Sequence, residues 1–308
     1  CSPFGWCGDT PGHCDANITT PEENSTFPGV DENMTEPIID KNITKSVGPI
    51  DSDKICGGYY PDWFETPKVR NIHPNYNLVY LFSARPSGSS DGSVSFTPQY
   101  DMEELKIDIQ HERSVNHRAF ILSVGGFGNA FYLDNRSFSE TLLDSVTTIY
   151  DEIGGIDGLD WDMYSDGIEP STEEMIWISL ELKSRYPGFI ITSTAVPYRK
   201  ADKNFCRAAV TAGALDYCAP KFYGAPDLTT PSSVLGYVQE WVDLLGEQYV
   251  VIGLAINYEE NHFQTKELAV QTYNTTKSQF PEIRGVFNWE ISYDYLENTR
   301  FSTAVCTV

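Results

Sequence analysis

Basic side chains are scarce in this sequence. Lysine and arginine total 21 against 44 aspartate and glutamate residues, for a formal charge of -23. A surface of that sign repels phosphate backbones and anionic lipid headgroups, so neither nucleic acid nor a membrane is expected as a partner. Long apolar runs are also missing: no stretch approaches the roughly 18–20 residues needed to span a bilayer. There is no glycine-rich phosphate loop, no His/Cys cluster with metal-ligand spacing and no internal repeat, so neither a cofactor nor a metal is expected. No signal peptide opens the chain, which starts on Cys1 rather than Met. A mature form or a fragment is therefore expected.

The 308 residues, 41% of them hydrophobic, suffice for one large core or two modest ones. Cys1, Cys7 and Cys14 crowd into a short opening segment, while Cys56, Cys206, Cys218 and Cys306 are spread over the rest. Dense cysteines in small loops indicate an oxidising compartment. Six N-x-S/T sequons, at Asn17, Asn24, Asn33, Asn42, Asn135 and Asn274, point the same way, and four of them fall within residues 17–44. A secreted, glycosylated, extracellular chain is expected, acting as a monomer.

Composition divides the chain into three. Residues 1–14 are rich in Cys and Gly. Residues 15–53 are rich in Thr, Pro, Asn, Asp and Glu with little apolar periodicity, the pattern of a solvated acidic linker. From residue 54 to 308, short apolar runs alternate with amphipathic stretches. Strands are predicted at 55–60, 77–83, 118–124, 156–163, 189–195, 217–223, 250–256 and 284–289. Helices are predicted at 101–112, 137–152, 171–185, 232–245 and 264–279, among others. Eight strand signals with helical intervals match an α/β fold of the (β/α)8 TIM barrel type, with an open doubly wound sheet as the alternative.

Two segments carry chemistry. In Cys1-Ser2-Pro3-Phe4-Gly5-Trp6-Cys7-Gly8-Asp9-Thr10-Pro11-Gly12-His13-Cys14, glycines permit tight turns and cysteines replace a core that so short a segment cannot build. Aromatics on such a frame present flat apolar faces to sugar rings. In Asp157-Gly158-Leu159-Asp160-Trp161-Asp162-Met163-Tyr164, strand alternation sends Asp160, Asp162 and Tyr164 to one side. In a barrel strand that side is the interior, and chemistry gathers at its C-terminal end. Two carboxylates this close cannot both ionise freely, so one pKa should rise.

The opening segment closely resembles the second half of a hevein-type chitin-binding module. The resemblance places Ser2, Phe4, Trp6 and His13 at the sugar-contacting positions, although an aromatic is usual where His13 stands. That module has eight cysteines, so the resemblance implies partners for Cys1, Cys7 and Cys14 upstream and a partial module here. An unrelated disulfide knot is the bland alternative.

Asp157 to Asp162 resembles the glycoside hydrolase family 18 signature D-G-x-D-x-D-x-E. Further stretches fit in order: Gly58-Tyr59-Tyr60 for the first strand, Ser123-Val124-Gly125-Gly126 for the S-x-G-G of strand three, Phe222-Tyr223 for strand six, and Gly285-Val286-Phe287-Asn288-Trp289 for the last. In that family the substrate's own acetamido group is the nucleophile. The resemblance implies that Asp162 orients the acetamido group, Asp160 shares a proton with Asp162, Tyr223 hydrogen-bonds the acetamide, and Tyr59 and Trp289 line the sugar subsite. Ordinary barrel packing is the bland reading of Tyr223 and Trp289. It also implies that Cys56 near the first strand lies beside Cys306, and that Cys206 and Cys218 close a short loop, although four cysteines allow three pairings.

Tyr164 departs from the signature, standing where the family's acidic glutamate protonates the leaving oxygen. A phenol with a pKa of about 10 is a far poorer acid near neutrality than a carboxyl at about 4.3. The first reading is a chitinase-like protein that binds chitin or chitooligosaccharides with hydrolysis lost or strongly reduced. The second is an active family 18 glycosidase using Asp166, Glu169 or Glu290 as substitute acid. The third is a protein-binding or toxin-delivery module on the same scaffold.

Overall fold

The computed structural model describes residues 54–64, 66–88, 91–126, 128–129, 133–162, 169–256 and 262–306. The predicted module at 1–14 with Ser2, Phe4, Trp6 and His13, the predicted linker at 15–53, and Tyr164 lie outside the described residues.

Eight parallel strands close into a barrel. They are β1 (Ile55–Pro61), β2 (Leu78–Pro86), β4 (Ala119–Gly125), β5 (Gly158–Asp162), β6 (Ile190–Ala195), β7 (Tyr217–Pro220), β8 (Val251–Ala255) and β9 (Gly285–Trp289). A two-residue strand, β3 (Val94–Ser95), pairs antiparallel with the end of β2. The ladder runs β7-β6-β5-β4-β2-β1-β9-β8, and bridges Cys218 to Val250 and Lys221 to Gly253 join its two ends. That closure decides against the open doubly wound sheet.

Helices α1 (Met102–Asn116), α2 (Arg136–Ile153), α3 (Thr172–Arg185), α4 (Lys200–Thr211), α5 (Pro231–Leu245) and α6 (Lys266–Gln279) follow successive strands, and two short helices, α7 (Ile291–Leu296) and α8 (Arg300–Val305), end the described chain. Their starts are written in the sequence. Asp101, Asn135, Ser171, Thr230 and Thr265 each accept a hydrogen bond from a backbone N–H in the first turn of the helix that follows. Helix α4 has no such side-chain cap at Arg199 and carries a charged first turn, so it lacks the start signal of the others.

Strand alternation sorts the side chains into two cores. Outward residues such as Leu159, Trp161, Ile191 and Ile252 pack under the helices, where Trp161 Nε1 donates to Ser179 Oγ on α3 at 3.0 Å. Inward residues including Ile55, Tyr59, Leu78, Tyr80, Phe82, Ile121, Tyr217 and Phe287 fill the barrel. Gly158 is required where β5 meets β6: a Cβ there would lie 2.2 Å from the carbonyl oxygen of Ile190.

Two disulfides tie the barrel. Cys56–Cys306 joins the first strand to the last helix across 250 residues, and Cys206–Cys218 joins α4 to β7. Closing so long a loop restricts the unfolded chain strongly. Replacing Cys56 and Cys306 with Ala is expected to lower unfolding free energy by about 2–5 kcal/mol. Urea denaturation of the oxidised proteins checks this; equal midpoints and slopes would contradict it.

Candidate functional site

The motif's first aspartate is architectural. Asp157 precedes β5, accepts two bonds from the Arg113 guanidinium at 2.9 and 3.0 Å, and holds the Phe120 N–H at 2.8 Å. It locks helix α1 and the start of β4 to the barrel floor.

The next aspartate is different. Asp160 is fully buried within the barrel, and hydroxyls from three strands converge on it. Tyr59 on β1 and Ser123 on β4 donate to Oδ2 at 2.7 and 2.8 Å, and Thr192 on β6 donates to Oδ1 at 2.7 Å. The register explains this convergence, since Ser123, Asp160 and Thr192 are direct partners across adjacent strands. Burial first, and the neighbouring Asp162 second, push the Asp160 carboxyl up to about 6 against the opposing pull of these donors. Tyr59 is held well above the usual phenol range by burial and by Asp160, so its phenol serves as a donor. Behind it, Tyr80 stacks on Tyr59 with ring centroids 4.4 Å apart, and its hydroxyl meets that of Tyr217 at 3.0 Å.

Asp162 lies one pleat closer to the C-terminal end of β5 and is 5% exposed. Its Oδ1 accepts from Lys221 Nζ at 2.7 Å. Lys221 follows β7 and shares the inward parity of Tyr217, Ala219 and Tyr223. Above the polar floor stands an aromatic wall. Trp289 at the end of β9 is half-buried, meets Phe82 edge-on at 5.1 Å, and lies 5.6 Å from Tyr59 and 6.4 Å from Trp63 between centroids. Trp63 follows β1 and is also half-buried.

Asp160, Asp162, Tyr59 and Trp289 are thus brought together at the C-terminal mouth of the barrel. Tyr223 is half-buried against the same interior cluster. Four participants were missed by sequence reasoning. Lys221 could have been found by extending the parity rule along 217–223, where it is the lone charge in a run read as a buried strand. Trp63 sits immediately past the first predicted strand, where barrel sites gather. Ser123 stands in the S-x-G-G stretch with no role given to it there, Thr192 carries no signal beyond its strand position, and the role of both depends on register.

Two of the substitute acids weighed from sequence are engaged elsewhere. Glu290 is 1% exposed and caps α7 by accepting from Ser292 N at 3.4 Å. Glu169 is mostly exposed and faces Arg199 at 3.2 Å. Asp166 lies outside the described residues.

No family model and no curated protein matches this sequence. Solved structures do. A family GH18 chitinase from Chromobacterium violaceum superposes with a TM-score of 0.71 at 16% identity, covering 83% of each chain. A xylanase and α-amylase inhibitor protein superposes with a TM-score of 0.67 at 14% identity, covering 83% of this chain and 98% of that one. A family 18 chitinase from Crocus vernus gives 0.64 at 15% identity, covering 80% and 96%. At such identities the likeness is one of fold: this chain has the barrel of those proteins.

Over the buried floor the mouth therefore joins the Asp162 carboxylate and the Lys221 ammonium to a wall of aromatic rings. Such a surface suits a neutral ring with apolar faces and a polar edge. No helix among the described residues is long and apolar enough to cross a membrane.

The raised Asp160 carboxyl makes a linkage prediction. The folded state binds this proton more tightly than the unfolded state, so its contribution to stability is full below about pH 4 and disappears as pH rises through about 6. Relative to Asp160→Asn, wild type should lose up to about 3 kcal/mol of unfolding free energy between about pH 4 and pH 7. Parallel stability curves for the two proteins would contradict it.

Proposed function

We propose that this barrel binds polymers or oligomers of N-acetylglucosamine, chitin among them, and hydrolyses them little or not at all. The observation that carries the reading is the buried Asp160, held by Tyr59, Ser123 and Thr192 beside Asp162 at the barrel mouth. Burying two neighbouring carboxylates is costly, and the barrel offsets that cost with three hydroxyls on Asp160 and the Lys221 ammonium on Asp162. A 2-acetamido group has the matching chemistry: its N–H would donate to Asp162, its carbonyl would accept from the Tyr223 hydroxyl, and its sugar ring would stack on Trp289. Two of the fold neighbours are chitinases, which agrees with that ligand class.

Turnover requires a proton donor for the leaving oxygen. In the sequence Tyr164 occupies the position that the family 18 signature gives to glutamic acid. Losing a positioned general acid typically slows a reaction by roughly 10²–10⁴-fold. Glu169 and Glu290 are held in other contacts, which weakens the reading as an active glycosidase.

The N-terminal residues extend the proposal. Residues 1–14 would form part of a hevein-type module, with Ser2, Phe4, Trp6 and His13 against sugar, and 15–53 would be a glycosylated acidic linker to the barrel at 54–308. The two barrel disulfides and the exposed sequons Asn135 and Asn274 support a secreted, extracellular protein, which we propose acts as a monomer. A second reading, a protein-binding barrel, draws support from the inhibitor protein among the fold neighbours.

Calorimetric titration with tetra-N-acetylchitotetraose, paired with an aryl chitobioside assay, tests the proposal. The expected result is saturable binding with turnover at least about 10²-fold below an ordinary kcat of about 10 s⁻¹. Tyr164→Glu should cleave faster than wild type. Cleavage by wild type at an ordinary rate contradicts the loss of activity, and failure to bind favours the protein-binding reading.

A further inference from the structure

Lys221 is a cation placed inside an acidic sugar site. Its ammonium lies 2.7 Å from Asp162 Oδ1 and its side chain is only 17% exposed. The position follows from the strand, since the inward parity of Tyr217 and Ala219 on β7 carries on to residue 221, and a bridge to Gly253 fixes that backbone against β8. Without this side chain, Asp162 would face the cleft as an unmatched carboxylate, with Asp160 buried behind it. With it, one oxygen of Asp162 is occupied and its charge is matched.

We propose that Lys221 sets the charge selectivity of the cleft, so that a neutral 2-acetamido sugar is accepted and the cationic 2-amino sugar left by deacetylation is turned away. The inference rests on the carbohydrate reading above and names the substituent that the site discriminates. An ammonium on the ligand would seek the carboxylates, and Lys221 opposes it twice. It occupies the Asp162 oxygen that such a cation would pair with, and it repels the incoming charge across a buried, weakly screened distance. A neutral acetamide meets neither penalty, because Asp162 Oδ2 stays available as an acceptor for its N–H.

The charged and titratable groups around this pair come from five elements. Tyr59 on β1 and Asp160 on β5 itself act on Asp162, Tyr80 on β2 and Tyr217 on β7 act on Asp160 behind it, and Asp202 on α4 feels both Lys221 and Asp162. Arg199 lies beside Asp202 at 3.6 Å and offsets it. The three tyrosines are all held above the ordinary phenol range by burial, so they add no charge near neutrality. Among the described residues, Lys221 is thus the cation in direct contact with Asp162.

The experiment compares the full chain with Lys221→Met, Lys221→Gln and Lys221→Arg. Calorimetric affinities are measured for tetra-N-acetylchitotetraose and for its fully deacetylated tetramer, at about pH 6, where an amine is charged, and at about pH 9, where it is largely neutral. Wild type should prefer the acetylated tetramer by roughly tenfold or more at the lower pH. Lys221→Met should cut that preference by a similar factor, chiefly by tightening the deacetylated tetramer, and the difference from wild type should shrink at the higher pH. Lys221→Arg should keep the wild-type preference. A merely structural role would weaken both sugars together without this pH dependence. Should Lys221→Met fail to fold, Lys221→Gln reads the same quantity with a shorter, polar side chain. If wild type binds the acetylated tetramer and both neutral variants keep its preference, this inference is overturned while the carbohydrate reading stands. If wild type binds neither tetramer, the carbohydrate reading fails and this inference fails with it.

Discussion

A carboxylate sealed inside the barrel is the constraint on which the rest of the site depends. Asp160 has no exposed surface, and its solvation is supplied by hydroxyls from β1, β4 and β6. An ionised carboxylate in an apolar interior is strongly disfavoured, and each hydrogen bond to a charged group returns only about 1.5–3 kcal/mol. The three strands must therefore keep their register. A slip of one residue would turn Ser123 or Thr192 to the helix side and leave the carboxyl unsupported. The hydroxyl cage thus fixes the geometry of the floor, and the floor fixes where Asp162 and the aromatic wall stand relative to it.

The same constraint creates the site's electrical character. Burial raises the Asp160 carboxyl, and Asp162 raises it further because two adjacent negative charges oppose one another. Lys221 answers the second charge directly. Tyr59 and Tyr80 contribute as neutral hydroxyls and as stacked rings. The floor of fixed donors and acceptors lies beneath Trp289 and Trp63. Among the candidate acids in described positions, Glu169 faces Arg199 and Glu290 caps α7.

Much of the barrel was legible because its signals are local. All eight strand runs expected from apolar patterning end within three residues of the observed strands at both ends. The seventh strand is shorter, stopping at Pro220, and only single bridges continue the pairing beyond it. Helix α4 escaped notice for want of a capping residue, and α7 and α8 are too short to show a period. The aspartates were readable from alternation alone. Ser123, Thr192 and Lys221 were not, because their meaning arises between strands distant in sequence: Lys221 and Asp162 are 59 residues apart. The disulfides Cys56–Cys306 and Cys206–Cys218, two of several allowed pairings from sequence, follow from closure of the barrel and from the approach of α4 to β7.

The central claim is that the barrel mouth takes an acetamido sugar against the Asp160–Asp162 floor. A crystal structure of the full chain with tetra-N-acetylchitotetraose tests this most directly. The account predicts an intact tetramer with one acetamido group against Asp162 and Tyr223 and its ring on Trp289. Sugar bound only away from the barrel mouth, or an empty mouth at saturating ligand, would contradict it.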